Sequence, residues 1–478
     1  MTAHSTPPVD SCPLRATLQR QRQAYLQAGP PAMTARIAAL RQLQRLLREQ
    51  QSAFIAAISQ DFGHRSAHET MLGEIFLILE SIQHTIRHLP HWMRPQQRRV
   101  PLHLWPATAQ VRVEPLGVVG IMSPWNYPLS LALMPLVAAL AAGNRVMLKP
   151  SEYTPASSAL LQQVLSAAFD ADQVSVVTGD AQVGAVFAGL PFDHLFFTGS
   201  TATGRLIMRA ASEHLVPVTL ELGGKSPVLM DEPCALEQAV QRIARGKLFN
   251  AGQTCIAPDY VLLRPGQVDS FVDLYRQAVG RLYPGLVANP DYTSVVNERH
   301  YARLQALVED ARRQGARVVE IDPRSEHPQG QAQRKFVPTL LLDVNWDMQV
   351  MQEEIFGPIL PLITYTHLEQ ALAWINARHK PLALYYFGTD RSRQNTLLAR
   401  TSAGGVTIND TLLHCLVENL PFGGVGASGM GAYHGQDGFM TFSHRKPVVW
   451  QARWSGAALA QPPYGKMVDR LIALLIRK

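Results

Sequence analysis

From Gly117 onward the chain repeats one unit: a short apolar run, a loop, then a helical stretch. The apolar runs are Val118-Val119-Gly120-Ile121-Met122, Arg145-Val146-Met147-Leu148, Val174-Ser175-Val176-Val177 and His194-Leu195-Phe196-Phe197. Strands that alternate with helices imply βαβ crossovers and a parallel sheet, which places the chain in the α/β class. A second α/β stretch follows Ser226, with strands at Val228-Leu229-Met230 and Tyr260-Val261-Leu262-Leu263. At 478 residues the chain exceeds what one core normally supports, so two or three domains are expected.

The flanks read differently. Residues 1–14 form a loose tail, and from Leu14 to about Gln97 apolar residues recur at helical spacing, as in Ile37, Leu40, Leu43, Leu46 and Leu47. Between Val100 and Leu116 the pattern turns to alternation, with Ala109, Val111 and Val113 set apart from Gln110, Arg112 and Glu114; a strand pair without a helix, in a hairpin arm, is expected. The apolar stretch Pro128 to Gly143 is too short to cross a membrane and ends in Gly143-Asn144, so it reads as a buried helix with a glycine stop. Gly404 to Ser428 is rich in glycine and loops, and Val448-Val449 reads as a closing strand. Tyr464 to Lys478 places Met467, Val468, Leu471, Leu474 and Leu475 on one side; an amphipathic helix docked on its own core or on a partner subunit is favoured over a membrane anchor.

Composition removes several function classes. Hydrophobic content of 47% with 17% charged residues describes a packed protein. The net charge of +7 is dispersed, its densest runs (Arg41 to Arg48, Arg94 to Arg99) reading as solvated faces, so no nucleic-acid partner is expected. Four cysteines, Cys12, Cys234, Cys255 and Cys415, form no CxxC pair and no metal-ligand spacing, which points to a reducing cytoplasm and to no metal. Met1 to Asp10 has no apolar signal core, and no transmembrane segment is expected.

Five segments carry chemistry. Cys255 closes the run Phe249-Asn250-Ala251-Gly252-Gln253-Thr254-Cys255, where small and polar neighbours leave a nucleophilic sulfur accessible. Glu221, in Leu220-Glu221-Leu222-Gly223-Gly224-Lys225, is a carboxylate at an apolar strand end, where burial raises a pKa toward that of a useful base; an ordinary strand-end glutamate is the alternative. Asn126, in Ser123-Pro124-Trp125-Asn126-Tyr127-Pro128, can donate its amide to a developing oxyanion, although local sequence favours its N-capping the helix that follows. Thr198-Gly199-Ser200-Thr201-Ala202-Thr203-Gly204 has the make-up of a phosphate-facing helix start, with GxxxxG spacing in place of GxGxxG; an N-capped helix without a ligand accounts for the same residues. Lys149 and Glu152 follow a strand and suit ribose hydroxyls, or occupy a surface loop.

Taken together these segments resemble the aldehyde dehydrogenase superfamily, from about residue 15 to 450. The resemblance also rests on Glu353-Glu354-Ile355-Phe356-Gly357-Pro358 and Leu420-Pro421-Phe422-Gly423-Gly424. Asn419 to His444 resembles the subgroup containing dimeric class 3, fatty aldehyde and bacterial coniferyl aldehyde dehydrogenases, and Pro462 to Arg477 is most similar to the coniferyl aldehyde members. The resemblance implies an α/β aldehyde dehydrogenase fold with a Rossmann-variant cofactor domain (1–97 and 117–223), a catalytic domain (224–430), an oligomerisation arm (98–116 and 431–450) and a tail (451–478). It implies Cys255 as nucleophile, Glu221 as base, and Asn126 with the Cys255 backbone N–H as oxyanion hole. It further implies Lys149 and Glu152 on the adenosine ribose, Gly199 and Ser200 beside the pyrophosphate, Glu354 and Phe356 on the nicotinamide ribose, and Phe422 beside the substrate.

The implied reaction is NAD-linked oxidation of an aldehyde to its carboxylate through a cysteine thioester, with NADP also possible and a homodimer as the assembly. The pocket candidates Tyr127, Leu412, Leu413, His414, Leu416 and Phe422 are mostly apolar or aromatic, favouring a hydroxycinnamyl or benzaldehyde-type substrate, with medium- or long-chain aliphatic aldehydes as the alternative. Acylation of coenzyme A and a non-catalytic, cofactor-binding structural role are the rival readings.

Overall fold

The computed structural model describes residues 12–326, 333–453 and 461–476. Helices Cys12–Ala28, Met33–Phe62 and Leu77–Trp92 form the opening layer, with a π-helical turn at Met71–Phe76 between the last two. Leu40, Leu43, Leu47, Phe54, Ile58, Ile78 and Ile82 from this layer are almost wholly buried, as their helical spacing requires. The layer packs on Ser130–Ala142, the apolar helix foreseen from sequence, which stops where Gly143 takes φ 92°.

Two sheets follow from the strand–helix rhythm. In the first, Val118–Met122 lies between the parallel strands Arg145–Lys149 and His194–Gly199; Val174–Val176 extends one side and Val218–Leu222 the other. Gly429–Met430, which sequence grouped with the second α/β stretch, pairs antiparallel with Leu220 and Glu221 at the edge of this first sheet. The second sheet has seven strands, with Pro227–Met230, Tyr260–Leu263 and Ala383–Phe387 adjacent and parallel at its centre. Only the short link Gly223–Ser226 joins the carboxyl end of Val218–Leu222 to the start of Pro227–Met230. The carboxyl edge of one sheet therefore abuts the amino edge of the other, the place where open α/β sheets bind ligands.

A third, three-stranded sheet joins distant pieces: Thr108–Pro115 pairs antiparallel with both Gln96–Arg98 and Ser443–Trp450. The expected arm is present, but it begins at Gln96, inside the stretch read as helical, and carries a single-turn helix at Leu102–Leu104 where none was expected. The N-terminal tail is also shorter than its sequence suggests: Cys12–Leu14 already belong to the first helix, while residues 1–11 lie outside the described residues. The C-terminal helix runs Lys466–Ile476; Val468 is buried and Leu471 half-buried, whereas Met467 and Leu474 of the same apolar face stand exposed. No described helix is long and apolar enough to cross a membrane.

Candidate active site

The register of the first sheet gathers the sequence candidates. Met122 pairs with Lys149 and with Phe197, and Thr198 with Glu221, so the ends that lead to Asn126, Lys149, Gly199 and Glu221 share one edge. Cys255 approaches from the other sheet, just before Tyr260–Leu263. It follows a turn in which Asn250, Ala251 and Gly252 all have positive φ (53°, 51° and 75°), unusual for the two non-glycine residues. At Gly252 a Cβ would strike the Gly357 carbonyl oxygen, so the turn requires glycine. Gln253 fastens it: its side-chain amide donates to Asn250 O (3.0 Å) and Ser294 O (3.0 Å), and its Oε1 accepts from Val296 N (2.9 Å).

Asn126 is 3% exposed and its amide Nδ2 donates to Gln253 O at 3.1 Å, so it does not cap the following helix. That helix has Leu129 at its N-cap, and Glu74 supplies the missing acceptor, taking the N–H groups of Leu129 (2.7 Å) and Ser130 (3.0 Å). One of the two Nδ2 hydrogens of Asn126 is left for another acceptor. Arg65 Nη1 and Asn250 Nδ2 hold its backbone oxygen at 3.0 and 3.1 Å. The Tyr127 hydroxyl meets Thr254 Oγ1 at 2.7 Å, beside the cysteine.

Glu221 is 3% exposed, and neither carboxylate oxygen has a hydrogen-bond partner among the described residues. Burial raises its pKa well above the usual carboxylate range. Cys255 is half-buried, and its thiol is also pushed up, first by burial, then by Glu354, Cys415 and Glu221. This is the reverse of an electropositive, thiolate-stabilising setting. Two carboxyls, Glu354 and Glu221, lie within electrostatic reach of this thiol. Tyr433, also buried, feels both Glu221 and Cys255 and walls the same space.

The cofactor candidates line the remaining edge. Lys149 is buried (4% exposed), which excludes the surface-loop alternative; Nζ donates to Pro150 O (3.1 Å) and Glu152 Oε2 (3.3 Å). An ammonium donor beside a carboxylate acceptor fits the vicinal hydroxyls of a ribose. Gly199 ends its strand, and Ser200 caps helix Thr201–Ser212 by accepting from Thr203 N at 3.2 Å. The N-cap reading of Ser200 therefore holds, and the positive helix end faces the same edge. Glu354 rests against Gly223, where any Cβ would collide with its carboxylate; burial, then Asp259, push its pKa to about 8. Its segment is clamped by Lys225, which bonds Asp259, Val350 O (2.7 Å) and Glu353 O (3.0 Å), while Asp259 accepts from Ile355 N at 3.0 Å. Phe356, at φ 52°, meets Trp125 edge-on at 5.3 Å.

On the substrate side Phe422 is sandwiched between His414 (6.0 Å) and His434 (5.2 Å), both stacked on its ring. Burial lowers the pKa of the two histidines to about 4 and about 3, so the stack is neutral. Leu412 packs on the core, whereas Leu413 and Leu416 are 40% and 52% exposed. Sequence reasoning missed Arg65, Glu69 and Glu74, which reach the site from the loop and short helical turns between Phe62 and Leu77.

The aldehyde dehydrogenase family model matches residues 14–448. The chain is 51% identical to a probable coniferyl aldehyde dehydrogenase of Pseudomonas aeruginosa over 96% of its length and 95% of the relative's. It is 45% identical to a coniferyl aldehyde dehydrogenase of a Pseudomonas species, covering 98% and 97% of the two chains. The fold is similar to the substrate-bound Staphylococcus aureus AldH structure, with a TM-score of 0.91, 36% identity and coverage of 97% and 99%. With this match spanning the Asn250–Cys255 turn, the buried Glu221 carboxyl and the Lys149–Glu152 edge, the chain belongs to the aldehyde dehydrogenase family, as an NAD(P)-dependent enzyme that oxidises aldehydes.

Proposed function

We propose that Cys255 is the nucleophile, Glu221 the base and Asn126 the oxyanion donor of this oxidation. The carrying observation is Glu221, whose two buried oxygens have no partner yet lie within electrostatic reach of Cys255. Such an unpaired carboxyl is costly unless a proton is to move there. Ionised Glu221 takes the thiol proton, and Sγ of Cys255 adds to the aldehyde carbon. Asn126 Nδ2–H and the Cys255 N–H receive the oxyanion. When bound, NAD(P)⁺ would supply the hydride acceptor needed for oxidation to the thioester level. Glu221 passes the thiol proton to solvent and, ionised again, removes a proton from water; the resulting hydroxide adds to the thioester carbon, and the C–S bond breaks to release the carboxylate and the Cys255 thiolate. Lys149, Glu152, Gly199, Ser200, Glu354 and Phe356 hold the cofactor; we leave NAD and NADP as alternatives, Glu152 favouring NAD because its charge opposes a 2′-phosphate.

The substrate we propose is a hydrophobic aldehyde of the hydroxycinnamyl or benzaldehyde type. Tyr127 and Phe422 supply flat rings, and Leu413, Leu416, Val417 and Leu420 are exposed nearby in sequence to Phe422. The names of the two Pseudomonas relatives support coniferyl aldehyde, with aliphatic aldehydes as the alternative. Residues up to about 95 with 117–223 form the cofactor domain, joined at its sheet edge by Gly429–Met430; 224–428 form the catalytic domain, and 96–116 with 431–450 an arm that pairs two subunits in the cytoplasm. In support of a homodimer, Ser443–Trp450 is an edge strand with Val449 62% and Trp450 46% exposed, an arrangement that invites pairing. A panel of kcat/KM values over coniferaldehyde, benzaldehyde, octanal and a charged semialdehyde, with each cofactor, tests the substrate. Preference for the semialdehyde overturns it and leaves the mechanism standing. Sedimentation as a clean monomer overturns the dimer.

A further inference from the structure

Three charged side chains from the helical layer end beneath the nucleophile and the oxyanion donor. The Arg65 and Glu74 side chains are wholly buried and paired at 2.8 Å, and Glu69 is 7% exposed. Glu74 spends its second oxygen on the helix start at Leu129 and Ser130. Arg65 Nη1 reaches Asn126 O, while its guanidinium lies over the rings of Phe62 (5.0 Å) and Tyr127 (4.8 Å). Glu69 Oε1 accepts the backbone N–H of Asn250 at 3.1 Å, and its Oε2 accepts from Thr293 Oγ1 at 2.6 Å. Asn250 is the first left-handed residue of the turn before Cys255, and its own Nδ2 bonds both Asn126 O and Gln253 O at 3.1 Å.

Buried ionic groups rarely add net stability over apolar packing, so their use at a strained turn calls for a geometric reason. Here two elements distant in sequence must present a sulfur and an amide to one carbonyl group. We infer that Glu69 and Arg65 are positioning residues, Glu69 setting the Asn250–Gly252 turn that presents Cys255 and Arg65 setting the backbone of Asn126, with the Asn250 amide tying the two together. The inference rests on the roles proposed above for Cys255 and Asn126. It adds residues that never touch substrate or cofactor and act only through others.

The test uses the full-length enzyme and three readouts: the pre-steady-state burst of NADH, the rate of iodoacetamide alkylation at Cys255 followed by peptide mass, and the cofactor Kd. Misplacement of reacting groups by about 1 Å costs up to roughly 10²-fold, so Glu69→Ala should slow burst and alkylation by about 10- to 100-fold. Its cofactor Kd should stay within about twofold, because the ribose-binding edge is untouched. Glu69→Gln should recover most of the burst rate, since its amide oxygen still accepts from Asn250 N and its NH₂ can donate to Thr293. A Glu69→Ala enzyme that bursts at the parent rate overturns the inference. So does a Kd that weakens in step with the burst, or a Glu69→Gln as impaired as alanine.

If Glu69→Ala does not fold, Asn250→Gly reads the same link, keeping the left-handed backbone while removing the amide tie. It should slow the burst with Kd unchanged, and a parent-like burst overturns the inference. Cys255→Ala is run alongside to separate the two claims. Turnover persisting there sinks the nucleophile assignment; silence there with a normal Glu69→Ala sinks only the positioning role.

Discussion

The two walls of the cleft are built on opposite rules. On the oxyanion side, Arg65, Glu69, Glu74, Asn126, Asn250 and Gln253 form a continuous chain of hydrogen bonds from the helical layer to the nucleophile turn. On the base side, Glu221 has no partner for either oxygen, and the Cys255 thiol is pushed up rather than stabilised as a thiolate. The dense network holds one geometry although Arg65 Nε and Nη2 and Asn250 Oδ1 find no partner among the described residues, whereas the Glu221 carboxyl, with neither oxygen bonded, is free to exchange a proton. On the roles proposed above, one wall holds atoms in place and the other moves protons.

The largest break to that contrast is Cys255→Ala, which should abolish NAD(P)H formation while cofactor still binds; residual turnover with cofactor titrating normally would remove the sulfur from the chemistry. On the rigid wall, Asn126→Ala should lower turnover by roughly 10²–10³-fold with little change in cofactor KM. A smaller effect is expected at the clamp behind Glu354: Lys225→Met strips three bonds and should weaken cofactor binding by about tenfold, about 1.4 kcal/mol, measured as Kd. An unchanged Kd would release Lys225 from that role.

The smallest test lies at the back of the sheet. His194 is buried against Thr219 Oγ1 at 3.0 Å, and burial lowers its pKa to about 4. A depressed folded pKa stabilises above the unfolded value and loses that contribution as pH falls through the folded one. Stability should therefore decline below about pH 6.5, with His194 alone accounting for about 2 kcal/mol by about pH 5. Denaturant midpoints should fall less steeply with acid in His194→Gln, and an identical slope would contradict the assignment.

Much of this architecture was legible in sequence because local and global signals agreed. Val118–Met122 and Tyr260–Leu263 have the boundaries their apolar runs suggest, and Gly143 stops its helix as foreseen. Ile359–Thr364 escaped because Pro361 reads as a strand breaker, yet it lies inside a parallel sheet opposite Leu341. Gly405–Ile408 was hidden in a stretch whose glycines suggest loops. In the site, whether Asn126 was cap or donor could not be decided locally, because the decisive partner is Glu74, a long-range contact. Arg65 and Glu69 had no visible role, since one turn of sequence does not reveal which loop a buried charge will meet.

The base assignment is tested most directly by trapping what Glu221 should release. Glu221→Gln, mixed with a hydrophobic aldehyde and NAD⁺, should give at most a single burst of NADH and then stall, because hydrolysis lacks its base. Mass spectrometry of the stalled enzyme should find the acyl group on the peptide containing Cys255. Steady turnover at the parent rate, with no acyl group on that peptide, would contradict the account.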